Sequence, residues 1–160
     1  CKMNPMGYEW FPIPRMDGST LEEASAGRDE AVVALNAFLD AVAHETGIPA
    51  SRTFLLGFSQ GCMMSLHVAP RRDDAVAGVI GMSGMLVEPE RLAAEAVQKP
   101  PVLLVHGDQD DVVPYGEMAK AEDALTAAEF EVYTLTSKDT AHGIAPDGLG
   151  AALQFIQQNL

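Results

Sequence analysis

The chain has 160 residues, of which 48% are hydrophobic and 21% charged, ordinary figures for a globular protein and too apolar for disorder. Ten Lys and Arg against 23 Asp and Glu leave a formal charge of −13, which repels phosphate backbones and anionic membranes and excludes nucleic acid as a partner. One domain of this length buries roughly 68–70% of its unfolded surface and needs no disulfide or metal staple.

Residues Cys1–Thr20 are rich in Pro, Gly, Met and aromatic residues without a sustained period, and read as a loop. From about Ser25 to His44 the residues Val32, Leu35, Phe38, Leu39 and Val42 follow helical spacing, and Gly47 and Pro49 end the segment. Thr53–Phe58 is a short apolar strand, followed by a helix over Gln60–Val68 that stops at Pro70. Ala77–Met82 reads as a buried strand, Glu88–Val97 as a helix and Pro101–His106 as another buried strand. Tyr115–Ala128 is helical, Phe130–Thr136 a strand, and Leu149–Gln158 a final helix with Asp147 as its expected cap. Continuous apolar strands separated by helices predict a parallel sheet covered on both faces, in one α/β domain with no internal linker.

The two cysteines, Cys1 and Cys62, lack zinc-ligand spacing and are too few for a disulfide framework, so a reduced, cytoplasmic setting is expected. No apolar run approaches the ~18 residues of a membrane span, and no basic-then-apolar leader opens the chain.

Gly57-Phe58-Ser59-Gln60-Gly61 is a G-x-S-x-G pattern between a buried strand and a helix. In that context a sharp turn lifts the serine hydroxyl clear of the sheet, and the Gln60 N–H at the helix start faces the same space, where it suits a developing oxyanion. The plain alternative is a tight strand-to-helix connection with an ordinary serine. A serine nucleophile needs a base and an orienting acid.

The acid is sought after the third strand, in His106-Gly107-Asp108-Gln109-Asp110-Asp111-Val112-Val113-Pro114. A calcium loop fails there, because its glycine and distal glutamate would fall on Val113 and Ala119. Turn formation and helix capping suit Asp108 and Asp111, leaving Asp110 as the expected acid. The base is His142, in a loop after the last strand with Gly143 behind it. His44 at a helix end, His67 within a helix and His106 at a strand end have duller readings. Ser59, Asp110 and His142 follow successive strands in the order Ser, acid, His. Of the other features, Arg71-Arg72-Asp73-Asp74 reads as a solvated turn of self-cancelling charge, and Met63 and Met64 as core. No metal or dinucleotide constellation is present.

GFSQG, Lys99–Pro114 and Ala141–Leu149, with Tyr8-Glu9-Trp10-Phe11-Pro12 and Gly81-Met82-Ser83-Gly84, closely resemble the bacterial carboxylesterase/phospholipase branch of the α/β-hydrolases, which includes acyl-protein thioesterases. The resemblance runs through the chain. It implies a three-layer α/β sandwich with a mostly parallel sheet, in which Ser59 is the nucleophile, His142 the base and then acid, and Asp110 the acid that holds the imidazole. It implies hydrolysis of small to medium acyl esters, with thioesterase or lysophospholipase action as alternatives, and no cofactor. Trp10, Phe11, Met85 and Leu86 are the expected substrate contacts and Gln60 an oxyanion donor.

By the same resemblance residues 1–160 are expected to form a single α/β-hydrolase domain, the C-terminal portion of the family's domain, lacking its first strands and the loop that supplies a second oxyanion donor. A silent fragment that acts only by association is the rival expectation. Loss of those strands would bare the Thr53–Phe58 edge, so a homodimer or larger assembly that covers it is expected.

Overall fold

Buried Val, Ile, Leu, Met and Gly make up most of two of the four described strands, as a sheet covered on both faces requires. The computed structural model describes residues 6–160. They form two units, one ending at Gly47 and one running from Ile48 to Leu160.

The first unit is helical. Pro14 sits at the first position of a single turn, α1 (Pro14–Asp17), which Gly18 closes in the left-handed region at φ 74°. The expected loop thus contains a helical turn, initiated by the fixed φ of proline. Helix α2 (Leu21–Thr46) starts four residues before the expected Ser25, because Thr20 and Glu23 form a reciprocal cap. The Glu23 N–H donates to the Thr20 hydroxyl at 3.1 Å, and the Thr20 N–H donates to the Glu23 carboxylate at 2.7 Å. Gly47, at φ 68°, ends the helix. Phe11 is buried in this unit, where Gly27 of α2 would, given a Cβ, come 3.5 Å from the Phe11 Cβ.

The second unit alternates strand and helix: β1 (Phe54–Phe58), α3 (Gln60–Val68), β2 (Gly78–Met82), α4 (Pro89–Glu95), β3 (Val102–Gly107), α5 (Gly116–Ala127), β4 (Val132–Ser137) and α6 (Pro146–Gln158). All pairings are parallel and the strand order is β1-β2-β3-β4. Every residue of β2 and β3 is buried, whereas β1 and β4 at the two edges mix buried and exposed positions. The alternation of side chains along a strand sorts the helices to two faces. Ile80 and Met82 of β2 pack with Leu103, Val105, Ala152 and Phe155, which places α6 on their face. Gly81 between them faces α3, where an added Cβ would lie 2.6 Å from Cys62 Sγ. Met118 and Ala121 of α5 line a small cavity with Cys62 and Leu66, so α5 shares the α3 face.

Two local expectations change. The Ala145 backbone, not Asp147, stands at the cap position of α6, since Pro146 opens the helix. Asp147 lies inside the first turn, where its carboxylate accepts from the Ser137 hydroxyl at 3.0 Å and ties α6 to the end of β4. Arg71 is not balanced within its own turn. It reaches Glu95 of α4 at 2.7 Å and the His67 carbonyl at 2.8 Å, joining the ends of α3 and α4. Hydrogen bonds from Arg71 first, and then from Arg91 at 2.7 Å, hold the Glu95 carboxyl below its usual range. Among the described residues no helix is long and apolar enough to cross a membrane.

Candidate active site

Ser59 stands between the last residue of β1 and the first of α3, with φ 53° and ψ −116°. A non-glycine residue in that region costs on the order of 1–3 kcal/mol, so the surroundings must hold it there. Its N–H donates to the Met82 carbonyl of the neighbouring strand at 2.8 Å, and its carbonyl accepts from the Met63 N–H at 3.1 Å. The two glycines of the pentapeptide play different parts. A Cβ on Gly57 would lie 2.1 Å from the Gly61 carbonyl carbon and 2.4 Å from the Cys62 nitrogen, so the helix backbone itself occupies that space. A Cβ on Gly61 would meet nothing within 4 Å. Gly84, just past β2, closes the elbow from below: its Cβ would come 2.9 Å from the Ser59 carbonyl oxygen.

Asp110 lies in the turn after β3 and is buried. One carboxylate oxygen, Oδ1, accepts the backbone N–H groups of Val112 at 3.0 Å and Val113 at 2.9 Å. The other, Oδ2, lies 2.8 Å from His142 Nδ1. Turn formation, expected of Asp108 and Asp111, is thus carried by Asp110, because only this side chain of the three is buried beneath the loop. Burial pushes its carboxyl upward. The hydrogen bonds from His142, Val113 and Val112 outweigh that push and hold it below the usual carboxylate range, so it is ionised at neutral pH.

His142 Nε2 lies 3.0 Å from Ser59 Oγ. A carboxylate only accepts, so the ring proton sits on Nδ1 toward Asp110 and Nε2 is left to accept from the serine hydroxyl. The Phe58 ring packs against the imidazole with centroids 4.8 Å apart. Three interactions hold the loop that carries it. The Gln109 N–H donates to the Thr140 carbonyl at 3.0 Å, and the Asp108 N–H to the Ser137 carbonyl at 3.2 Å. The Ser83 hydroxyl donates to the Gly143 carbonyl at 3.3 Å. Gly107 admits the loop's approach, since a Cβ there would lie 2.2 Å from the Thr140 oxygen.

The structure therefore brings Ser59, Asp110 and His142 into one relay from three strand ends. Gln60 is the first residue of α3, where the helix dipole favours negative charge. Met85 is half-buried and Leu86 buried past the end of β2. Trp10 and Phe11 belong to the first unit, Trp10 exposed and Phe11 buried. Ser83 and Gly107 do not stand out as site residues in the sequence. Each lies in a segment that carries the family resemblance and closes or follows a buried strand, at the sheet edge where parallel α/β proteins place their ligands. Among the described residues no group of three or more His, Cys, Asp or Glu is placed to hold a metal ion.

Comparison with known proteins agrees with this arrangement at the level of family and fold. A family model described as Phospholipase/Carboxylesterase matches residues 1–160. Acyl-protein thioesterase 1 of Neurospora crassa is 32% identical over 94% of this chain and 65% of its own length. Esterase YpfH of Escherichia coli is 27% identical over 98% of this chain and 65% of its own. The crystal structure of esterase PE8 superposes with a TM-score of 0.92 at 40% identity, covering all of this chain and 74% of that one. The chain thus spans a little under two thirds of the length of these curated relatives.

Proposed function

The chain belongs to the Phospholipase/Carboxylesterase family of α/β-hydrolases, and on that premise we propose that it is a serine esterase for small to medium acyl chains, working through an acyl-enzyme on Ser59. The observation that carries this is the continuous relay of Ser59 Oγ to His142 Nε2 at 3.0 Å and His142 Nδ1 to Asp110 Oδ2 at 2.8 Å.

In the first half-reaction Ser59 Oγ attacks the ester carbonyl carbon as its proton passes to His142 Nε2. Ionised Asp110 holds the resulting imidazolium and keeps its Nδ1–H in line. The Gln60 N–H stabilises the oxyanion, and loss of one such donor typically costs about 100- to 1,000-fold. Collapse of the tetrahedral intermediate breaks the C–O bond, and His142 returns its proton to the departing alcohol. Water, losing a proton to His142, then attacks the acyl carbonyl; the acid leaves and Ser59 regains its hydrogen. Met85 and Leu86, past the end of β2, supply apolar contacts for the acyl chain.

The test is hydrolysis of p-nitrophenyl butyrate by the purified chain beside Ser59→Ala. Turnover present in the first and absent in the second is expected, together with labelling of Ser59 by a fluorophosphonate. Equal background in both overturns the proposal and leaves a chain that associates without catalysing. Thioester hydrolysis by the same triad is the second reading, favoured by the thioesterase among the relatives. Ester and thioester substrates of one chain length separate the two.

Association belongs to the same proposal. β1 has a sheet partner on one side only among the described strands, and Leu56 at its centre is 48% exposed. A second copy of the chain covers that edge.

A further inference from the structure

Asp110 faces a second histidine. His106, the fifth residue of β3, is only 1% exposed, and its Nε2 lies 2.9 Å from the Val113 carbonyl oxygen. The same nitrogen is 3.2 Å from Asp110 Oδ2, the oxygen that takes the His142 Nδ1–H. A carbonyl and an ionised carboxylate can only accept, so Nε2 of His106 must carry a hydrogen. Packing alone does not account for that polar edge. The ring also meets Tyr115 edge-on at 6.1 Å and borders the cavity lined by Cys62 and Leu66, surroundings that a phenyl ring would fill equally well.

We propose that His106 is a positioning residue for the triad: its Nε2–H, given to the Val113 carbonyl and lying against Asp110 Oδ2, ties the Asp110–Val113 turn to the end of β3 and aims the carboxylate at His142. The turn has two fastenings. Asp110 Oδ1 takes the Val112 and Val113 N–H groups from inside it, and His106 takes the Val113 carbonyl from the sheet. Without the second, the loop keeps its internal shape but loses its anchor to the strand. A buried carbonyl and one flank of a charged oxygen are then left without a donor, which costs the full desolvation of those groups and not merely the net worth of the bonds. This rests on the proposed role of Ser59, Asp110 and His142.

The experiment compares His106→Phe, which keeps a ring but no donor, with His106→Gln, whose amide N–H reaches about as far as Nε2. His106→Asn, too short to reach, is a second loss variant should the phenylalanine chain not fold. With p-nitrophenyl butyrate, Phe and Asn are expected to lower kcat roughly 10- to 100-fold with KM changed by less than about 2-fold, and Gln to restore most of the loss. A packed ring without a positioning role gives the opposite order, with Phe above Gln, and that order overturns the proposal.

Nitrogen NMR of the wild-type ring supplies a readout free of turnover: a hydrogen on Nε2 is expected, and one on Nδ1 alone overturns the proposal. If the wild-type chain hydrolyses no ester, the proposed function fails by itself. The His142 Nδ1 proton then decides the role of His106. A resonance moved by Phe or Asn and restored by Gln upholds it; one unchanged in every variant refutes it.

Discussion

Cys62 sits three residues after Ser59, at the centre of the site's underside, yet chemically it is silent. The side chain is 2% exposed, with Sγ 2.6 Å from where a Cβ of Gly81 would stand and 2.5 Å from that of Gly84. Burial pushes its thiol up to about 12, and the backbone hydrogen bond at Gly84 offsets only part of that. A raised thiol stays protonated at neutral pH, and the thiolate is the reactive form. In a Cys1→Ser background, a disulfide-exchange reagent at pH 8 is therefore expected to leave Cys62 unmodified until guanidinium unfolds the chain, when one thiol appears. Prompt labelling of the native protein would contradict a closed packing beneath the elbow. Neighbouring Ser59 differs from Cys62 by geometry: its left-handed backbone turns the hydroxyl out toward His142, while Cys62 points into the α3 face of the sheet.

At the scale of elements, the junction of β1 and α3 depends on the absence of one side chain. A Cβ on Gly57 meets backbone atoms of Gly61 and Cys62, which cannot swing aside as a flexible side chain would. Gly57→Ala is expected to destabilise by about 1–3 kcal/mol, as overpacking does, lowering Tm by some 2–4 °C for each kcal/mol in a chain of this size. Gly61→Ala opens onto empty space within helix α3, so it is expected to leave Tm unchanged or raise it by the helix preference of alanine. Thermal unfolding followed by circular dichroism checks the pair. A larger loss at Gly61 than at Gly57 would mean the elbow is not built by close backbone approach. The G-x-S-x-G spacing announces this junction in the sequence, but its two glycines look equivalent there. Only the crossing of helix over strand tells them apart.

For the whole molecule, association turns on the β1 edge. An exposed run of unpaired N–H and C=O groups recruits another strand, and a charge placed on it discourages pairing. The chain at about 10 μM is expected to run as a dimer or larger species by light scattering, and Leu56→Lys to run as a monomer with unchanged circular dichroism. A wild-type monomer at that concentration would refute coverage by a second copy. The charge of −13 acts in the other direction, by mutual repulsion, so association should strengthen as salt screens it.

The sequence by itself determined the alternation of elements in the second unit, since buried parallel strands must be continuous apolar runs with helix-length segments between them. It also singled out Ser59, Asp110 and His142, because a strand-to-helix serine and a loop histidine are local patterns in a known order. Tertiary structure decided what depends on partners distant in the chain. Ser59 and His142 are 83 positions apart, and no local rule sets the 3.0 Å between their side chains. Which of the three aspartates within residues 108–111 formed the turn followed from burial. Packing across the fold also set the pairing of Arg71 with Glu95, 24 positions away, and of Asp147 with Ser137 instead of its own helix cap. His106 reads in sequence as a packed strand end. Its polar edge became visible only when the Asp110 turn folded back over β3, because hydrogen-bond partners across a loop are set by the path of the backbone and not by residue type.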